Sequence, residues 1–132
     1  MKRYLSQHLN ASQMARLREH LESFINPVRL TKMQQVLSQR TRYLTIVLED
    51  IYQSQNASAV LRSCECFGIQ DVHIIENLYQ YEVNPDVVRG ASKWLDMHTY
   101  NESENNTLNC LNRLRESGYR IVATSPYKKG YT

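Results

Sequence analysis

The chain has 132 residues, enough for one domain with a real core and too few for two. Its 42% hydrophobic and 22% charged residues exclude a disordered chain, and no apolar run approaches the length of a membrane span. A formal net charge of +3, with 13 acidic residues set against 16 basic ones, is too small an imbalance to establish an anionic partner by itself.

The N-terminal stretch MKRYLSQHLNAS is basic but has no apolar segment behind it, so it does not read as a secretory signal; a cytoplasmic protein is expected. Met14, Leu17, Leu21 and Phe24 recur at intervals of three and four and predict an amphipathic helix over 12–25, ended by Asn26-Pro27. Leu30, Met33, Val36 and Leu37 mark a second helix flanked by Arg29, Lys32, Arg40 and Arg42. Those cations read equally as a solvated face or as a track for a nucleic-acid backbone, and the steepness of binding against salt separates the two. Both helices precede any strand, so residues 1–42 are expected to form a helical extension ahead of an α/β domain at 43–132.

From Leu44 the hydrophobic period changes. LTIVLE (44–49) predicts a strand buried on both faces, followed by a polar loop, DIYQSQ, and then a helix. Gly68 stops that helix, and DVHIIE (71–76) predicts a second buried strand. After NPDVVRGASKW, LDMHTY (95–100) predicts a third strand, with Trp94 entering the core ahead of it. Thr107 to Ser117 predicts a helix with Leu108, Leu111 and Leu114 on one face and Gly118 at its end, and YRIVAT (119–124) a fourth strand. The alternation is that of a mostly parallel sheet with flanking helices. The last predicted strand has little chain after it to cover it, so an incomplete domain is expected. Cys64, Cys66 and Cys110 form no paired framework, which suits a reducing compartment, and their spacing matches no zinc motif. The four N-x-S/T stretches, at Asn10, Asn56, Asn101 and Asn105, read as chance matches in an Asn-rich chain.

The helix after the first strand carries the most chemistry. Asn56 is placed to cap it, and Ala57, Val60, Leu61, Cys64 and Phe67 form one stripe toward the sheet. Arg62 lies roughly 140° around the axis from Ala57, on the polar side and in line with Ser58 one turn earlier. This helix starts at the carboxyl end of a strand, where parallel α/β folds place ligands and where free N–H groups attract phosphate. A solvated surface arginine and a group aimed at a substrate both remain open on the residues alone.

Asn56, Arg62, Ser63 and Gly68, spaced N-x-x-x-x-x-R-S-x-x-x-x-G, resemble the first motif of the SpoU-type RNA 2′-O-ribose methyltransferases of the SPOUT class. The stretch from LTIVLE to IIEN, the segment GASKW at 90–94 and LRESGYRIVATS extend the likeness to about residues 42–125 and to the tRNA guanosine-2′-O branch. The resemblance implies the N-terminal part of an α/β trefoil-knot domain, RNA (tRNA) as partner, a homodimer when full length, no membrane, and S-adenosylmethionine as methyl donor. It places Arg62 at the attacking oxygen with Asn56 supporting it. Ser63, Lys93, Arg42, Arg40, Lys32 and Lys128 are the residues expected against RNA, Lys128 and Lys129 in the final stretch reading equally as solvated. The family's later donor-binding and knot motifs do not occur before Thr132, so this chain alone is expected to be inert. The competing reading is a non-catalytic RNA-binding or regulatory module on the same scaffold. A generic dinucleotide binder is disfavoured, because no G-x-G-x-x-G follows the first strand.

Overall fold

The structure, a computed structural model, describes residues 8–81 and 93–124. The chain divides into two compact units between Arg40 and Thr41.

The first unit contains α1 (Ala11–Glu22) and α2 (Pro27–Ser38). A reciprocal capping box opens α1, the Asn10 side chain accepting from the Gln13 N–H while the Gln13 side chain accepts from the Asn10 N–H, both at 2.9 Å. Asn26-Pro27, expected to end the first helix, instead starts the second. The Asn26 side chain accepts from the Val28 N–H at 2.9 Å, and Pro27 stands at the first turn, where a missing N–H costs nothing. α1 has already closed at Ser23. Neither helix buries a residue, and Phe24 is 75% exposed.

The second unit is built on three parallel strands in the order β1 (Ile46–Glu49), β2 (Asp71–Ile75), β3 (Asp96–Tyr100). Ile46 pairs with Val72, and His73 with His98. α3 (Ser54–Cys66) crosses from β1 to β2, and α4 (Asn106–Glu116) follows β3. Side chains alternate across the sheet. Leu48, Val72 and Ile74 point to the α3 face and pack with Ala57, Leu61 and Cys64. Ile75 and Tyr100 point to the other face and meet Cys110 and Leu114 of α4, with Val47 beside them. Gly68 and Gly118 follow α3 and α4 at φ +71° and +87°, the left-handed conformation expected of helix-stopping glycines.

Five sequence expectations change here. β1 is not buried on both faces: among the described residues it pairs on one side only, Ile46 and Val47 are half-buried and Glu49 is exposed. β2, in the middle, is buried at all five positions. No fourth strand forms at 119–124 among the described residues, because that segment joins no ladder. Tyr119 and Ile121 pack on the α4-side cluster and the Tyr119 hydroxyl donates to the Arg42 carbonyl, but side-chain packing without inter-strand hydrogen bonds does not make a strand. Trp94 lies at the surface. Phe67, read as part of the inward stripe of α3, is 80% exposed because the helix has ended before it, at Cys66. In α4 the inward face is Asn106, Cys110 and Leu114, whereas Leu108 is exposed. Asn106 can be buried because its amide donates to the Glu76 carbonyl at 3.0 Å and its oxygen accepts from the Ser103 N–H at 2.9 Å.

Candidate functional site

β1 leaves the sheet at Asp50, a non-glycine residue at φ +45°. Its carboxylate explains why the chain holds that conformation. Oδ1 accepts from the backbone N–H groups of Asn77 and Leu78, both at 2.8 Å, and of Tyr79 at 3.4 Å. These bonds, the Leu78 N–H foremost, hold the Asp50 carboxyl below its ordinary pKa. They also tie the loop after β2 to the loop after β1. Ile51, Tyr52 and Ser54 from one loop and helix start, with Tyr79 and Gln80 from the other, line a cavity of about 230 Å³ at the carboxyl ends of the strands. The rings of Tyr52 and Tyr79 meet edge to face, centroids 5.0 Å apart.

α3 begins three residues earlier than expected. The Gln53 carbonyl accepts from the Asn56 N–H at 3.0 Å, so the first turn has formed before Asn56 is reached. Asn56 is therefore not the cap: the cap position is Gln53, which makes no side-chain capping bond. The Asn56 amide instead donates to the Gln53 side chain at 3.2 Å, holding the loop rather than Arg62. Arg62 is exposed on the outer side of α3 and has no hydrogen bond or ion pair among the described residues. Ser58, expected beside it on the polar face, is fully buried, its hydroxyl donating to the Ser54 carbonyl at 2.7 Å. The exposed Ser63 hydroxyl bonds back to the Ala59 carbonyl at 3.1 Å.

Arg42 lies at the opposite end of the sheet. Its guanidinium bridges Asp71, by a very short contact, and Asp96, at 2.9 Å. Asp71 also receives His98 Nε2 at 2.9 Å, and His98 stacks on His73 with centroids 4.7 Å apart. Arg42, Asp71, His73 and His98, with Arg113 and Tyr119, line a second cavity of about 310 Å³. Lys32 and Lys93 are exposed and Arg40 is half-buried. Lys128, Lys129 and residues 90–92 of GASKW lie outside the described residues. The structure thus brings Asn56 to the strand-end loops, leaves Arg62 on the open face of the same helix, and sets Arg42 in an ion-pair cluster elsewhere. Asp50, Tyr52 and Tyr79 are the residues that sequence reasoning missed. DIYQSQ read as a plain polar loop, and the one available signal was an aspartate, able to satisfy nearby N–H groups, just past a strand. No group of His, Cys, Asp and Glu among the described residues could hold a metal ion. No helix among them is long and apolar enough to cross a membrane.

The profile of the SpoU rRNA Methylase family matches residues 43–132. A tRNA (guanosine(18)-2′-O)-methyltransferase of Borreliella burgdorferi is 46% identical over 105 residues, covering 80% of this chain and 46% of the relative. A Thermus thermophilus protein of the same name is 25% identical over 97 residues, covering 74% and 48%. Among solved structures, an A. aeolicus TrmH/SpoU tRNA modifying enzyme superposes with a TM-score of 0.64 at 22% identity, covering 75% of this chain and 50% of that one, a likeness of fold. The chain spans about half the length of the relatives it matches.

Proposed function

The chain belongs to the SpoU rRNA Methylase family, and from that premise we propose that the protein methylates a ribose 2′-hydroxyl in RNA, a guanosine of tRNA, with these 132 residues carrying contacts to the RNA. The observation that supports this most is Arg62: an unpaired guanidinium on the open side of a helix that leaves the end of β1. A ribose hydroxyl is a weak acid, and methyl transfer to its oxygen needs its proton handled and the oxygen held in line. A guanidinium stays protonated, which makes it a clamp for the adjacent phosphate and a donor that polarises the hydroxyl, not a base. Positioning of this kind is worth roughly 7–11 kcal/mol in favourable cases. Asn56 acts on the same helix start through the loop it ties to Gln53. Lys93, Lys32, Arg40 and Lys128 are proposed as phosphate contacts, and Ser63 as a neighbour of Arg62 on the RNA side. Arg42 belongs to that group only if RNA competes with Asp71 and Asp96 for it.

S-adenosylmethionine is the donor that the family implies, and the described residues do not fit it. The cavity of about 230 Å³ falls below the roughly 300–1,000 Å³ usual for a small-molecule site. The other is walled by the ion-paired Arg42 and Asp71 and by Arg113, and lies at the opposite end of the sheet from the start of α3. That mismatch favours a second reading, a non-catalytic RNA-binding module, for this chain taken alone.

One experiment separates them. Methylation of a tRNA transcript by the full-length protein should fall by about 10²–10⁴-fold on Arg62→Ala, the range for a lost charge-stabilising group. Methylation at the parent rate would remove Arg62 from the mechanism.

A further inference from the structure

We propose that Tyr52 is a stacking platform for a single nucleobase of the RNA, braced by Tyr79 and held in place by Asp50. The inference deepens the RNA reading above and rests on it, naming the group bound at the strand ends.

Tyr52 is 75% exposed, and Tyr79 is 44% exposed. A tyrosine ring is a large apolar body that usually finds cover, and two of them share one cavity at the end of the sheet where parallel α/β folds take ligands. Their geometry is not that of two loose surface rings. With centroids 5.0 Å apart and planes at 66°, one ring braces the other by its edge. An edge contact fixes a ring while leaving a face free. The bracing residue is itself tethered, since the Asp50 carboxylate accepts from Asn77, Leu78 and Tyr79 and joins the two loops. The platform is thus assembled before any ligand arrives, which lowers the ordering cost of binding.

The size and lining of the cavity select the occupant. About 230 Å³ is too little for a cofactor and suits one flat group entering from solvent. Ser54 and Gln80 line the same space, and both side chains donate and accept hydrogen bonds at the edge of a stacked ring. An unpaired base offers this combination of a π-face and a polar rim, and single-stranded RNA is read by stacking its splayed bases on aromatic side chains. Base-paired RNA keeps its faces covered and has nothing to offer Tyr52.

The test uses the 132-residue chain and a short single-stranded RNA carrying 2-aminopurine, with the same sequence as a duplex alongside. Tyr52→Leu keeps an apolar side chain and removes the π-face. It should weaken single-strand binding by about 5- to 100-fold and abolish quenching of the probe base. Tyr52→Phe should bind within about twofold of the parent, since the face is retained. The salt dependence should be unchanged in both, because no phosphate contact is lost. Tyr79→Leu, which removes the brace, should weaken binding by a smaller factor. Circular dichroism of each variant checks that the fold persists.

Undiminished binding and quenching in Tyr52→Leu overturns the platform, as does a parent chain that binds the duplex as well as the single strand or binds neither. The methyl-transfer reading fails separately. Absence of tRNA methylation by the parent protein would remove that reading and leave a Tyr52 defect in RNA binding standing.

Discussion

His73 is buried on β2, stacked on His98, with Nδ1 3.1 Å from the Tyr100 hydroxyl. Burial first, then the neighbouring His98 and Arg113, lower its pKa from 6.5 to about 4, and Asp71 only partly opposes them. The folded protein therefore resists protonation that the unfolded chain accepts. Between pH 6.5 and about 4 the unfolded state binds more protons, so this stabilisation is complete above pH 6.5 and is lost as the pH falls through that window. At 1.36 kcal/mol per unit the loss is about 3 kcal/mol. Urea unfolding of the parent should show that acid slope, and His73→Phe, which keeps a ring of similar size, should flatten it. Equal slopes in the two proteins would assign the acid sensitivity to other groups. Arg62 shows what is legible at this scale: helical spacing alone put it on the outer side of α3, where it stands. Its neighbours were less readable. Asn56 looked like a cap, but a backbone turn at Gln53 had already started the helix. Ser58 looked solvated, yet a hydroxyl that bonds its own helix at Ser54 can be buried at little cost.

Among the elements, β2 and β3 and the helices α3 and α4 follow from the sequence pattern, with ends shifted by at most three residues. The misreadings share a cause: hydrophobicity reports what a segment would bury, not what is present to bury it. β1 has the composition of a central strand but, among the described residues, pairs on one side only. YRIVAT has the composition of a strand but joins no ladder. The stripe of α1 is regular, and still neither α1 nor α2 buries a side chain. Short helices without tertiary cover are marginal in water, whereas β2 is buried at every position and bonded on both sides. Hydrogen exchange read by mass spectrometry should therefore find the amides of α1 and α2 exchanging with little protection and those of β2 only near global unfolding. Comparable protection in α1 and β2 would mean that the helices are covered in solution.

For the molecule as a whole, the α/β class and the parallel sheet were legible because alternating strands and helices admit few other arrangements. The candidate site has its motif helix in a local pattern and its loops outside any, since the tether from Asp50 to residues 77–79 joins segments that no local pattern connects. On the reading proposed above, calorimetric titration of the 132-residue chain with S-adenosylmethionine should show no binding heat. A stoichiometric signal would place a donor site in this chain and sink the inert reading. The centre of the sheet carries one more consequence. Along β2, Asp71 and His73 meet Arg42, His98 and Tyr100, while Val72 and Ile74, which alternate with them, meet the apolar cluster under α3. A slip by one residue would drive a carboxylate and an imidazole into hydrocarbon and leave two aliphatic side chains among charges. The polar cluster thus works as a key that admits a single alignment, guarding the strand from misthreading while the rest of the chain assembles around it.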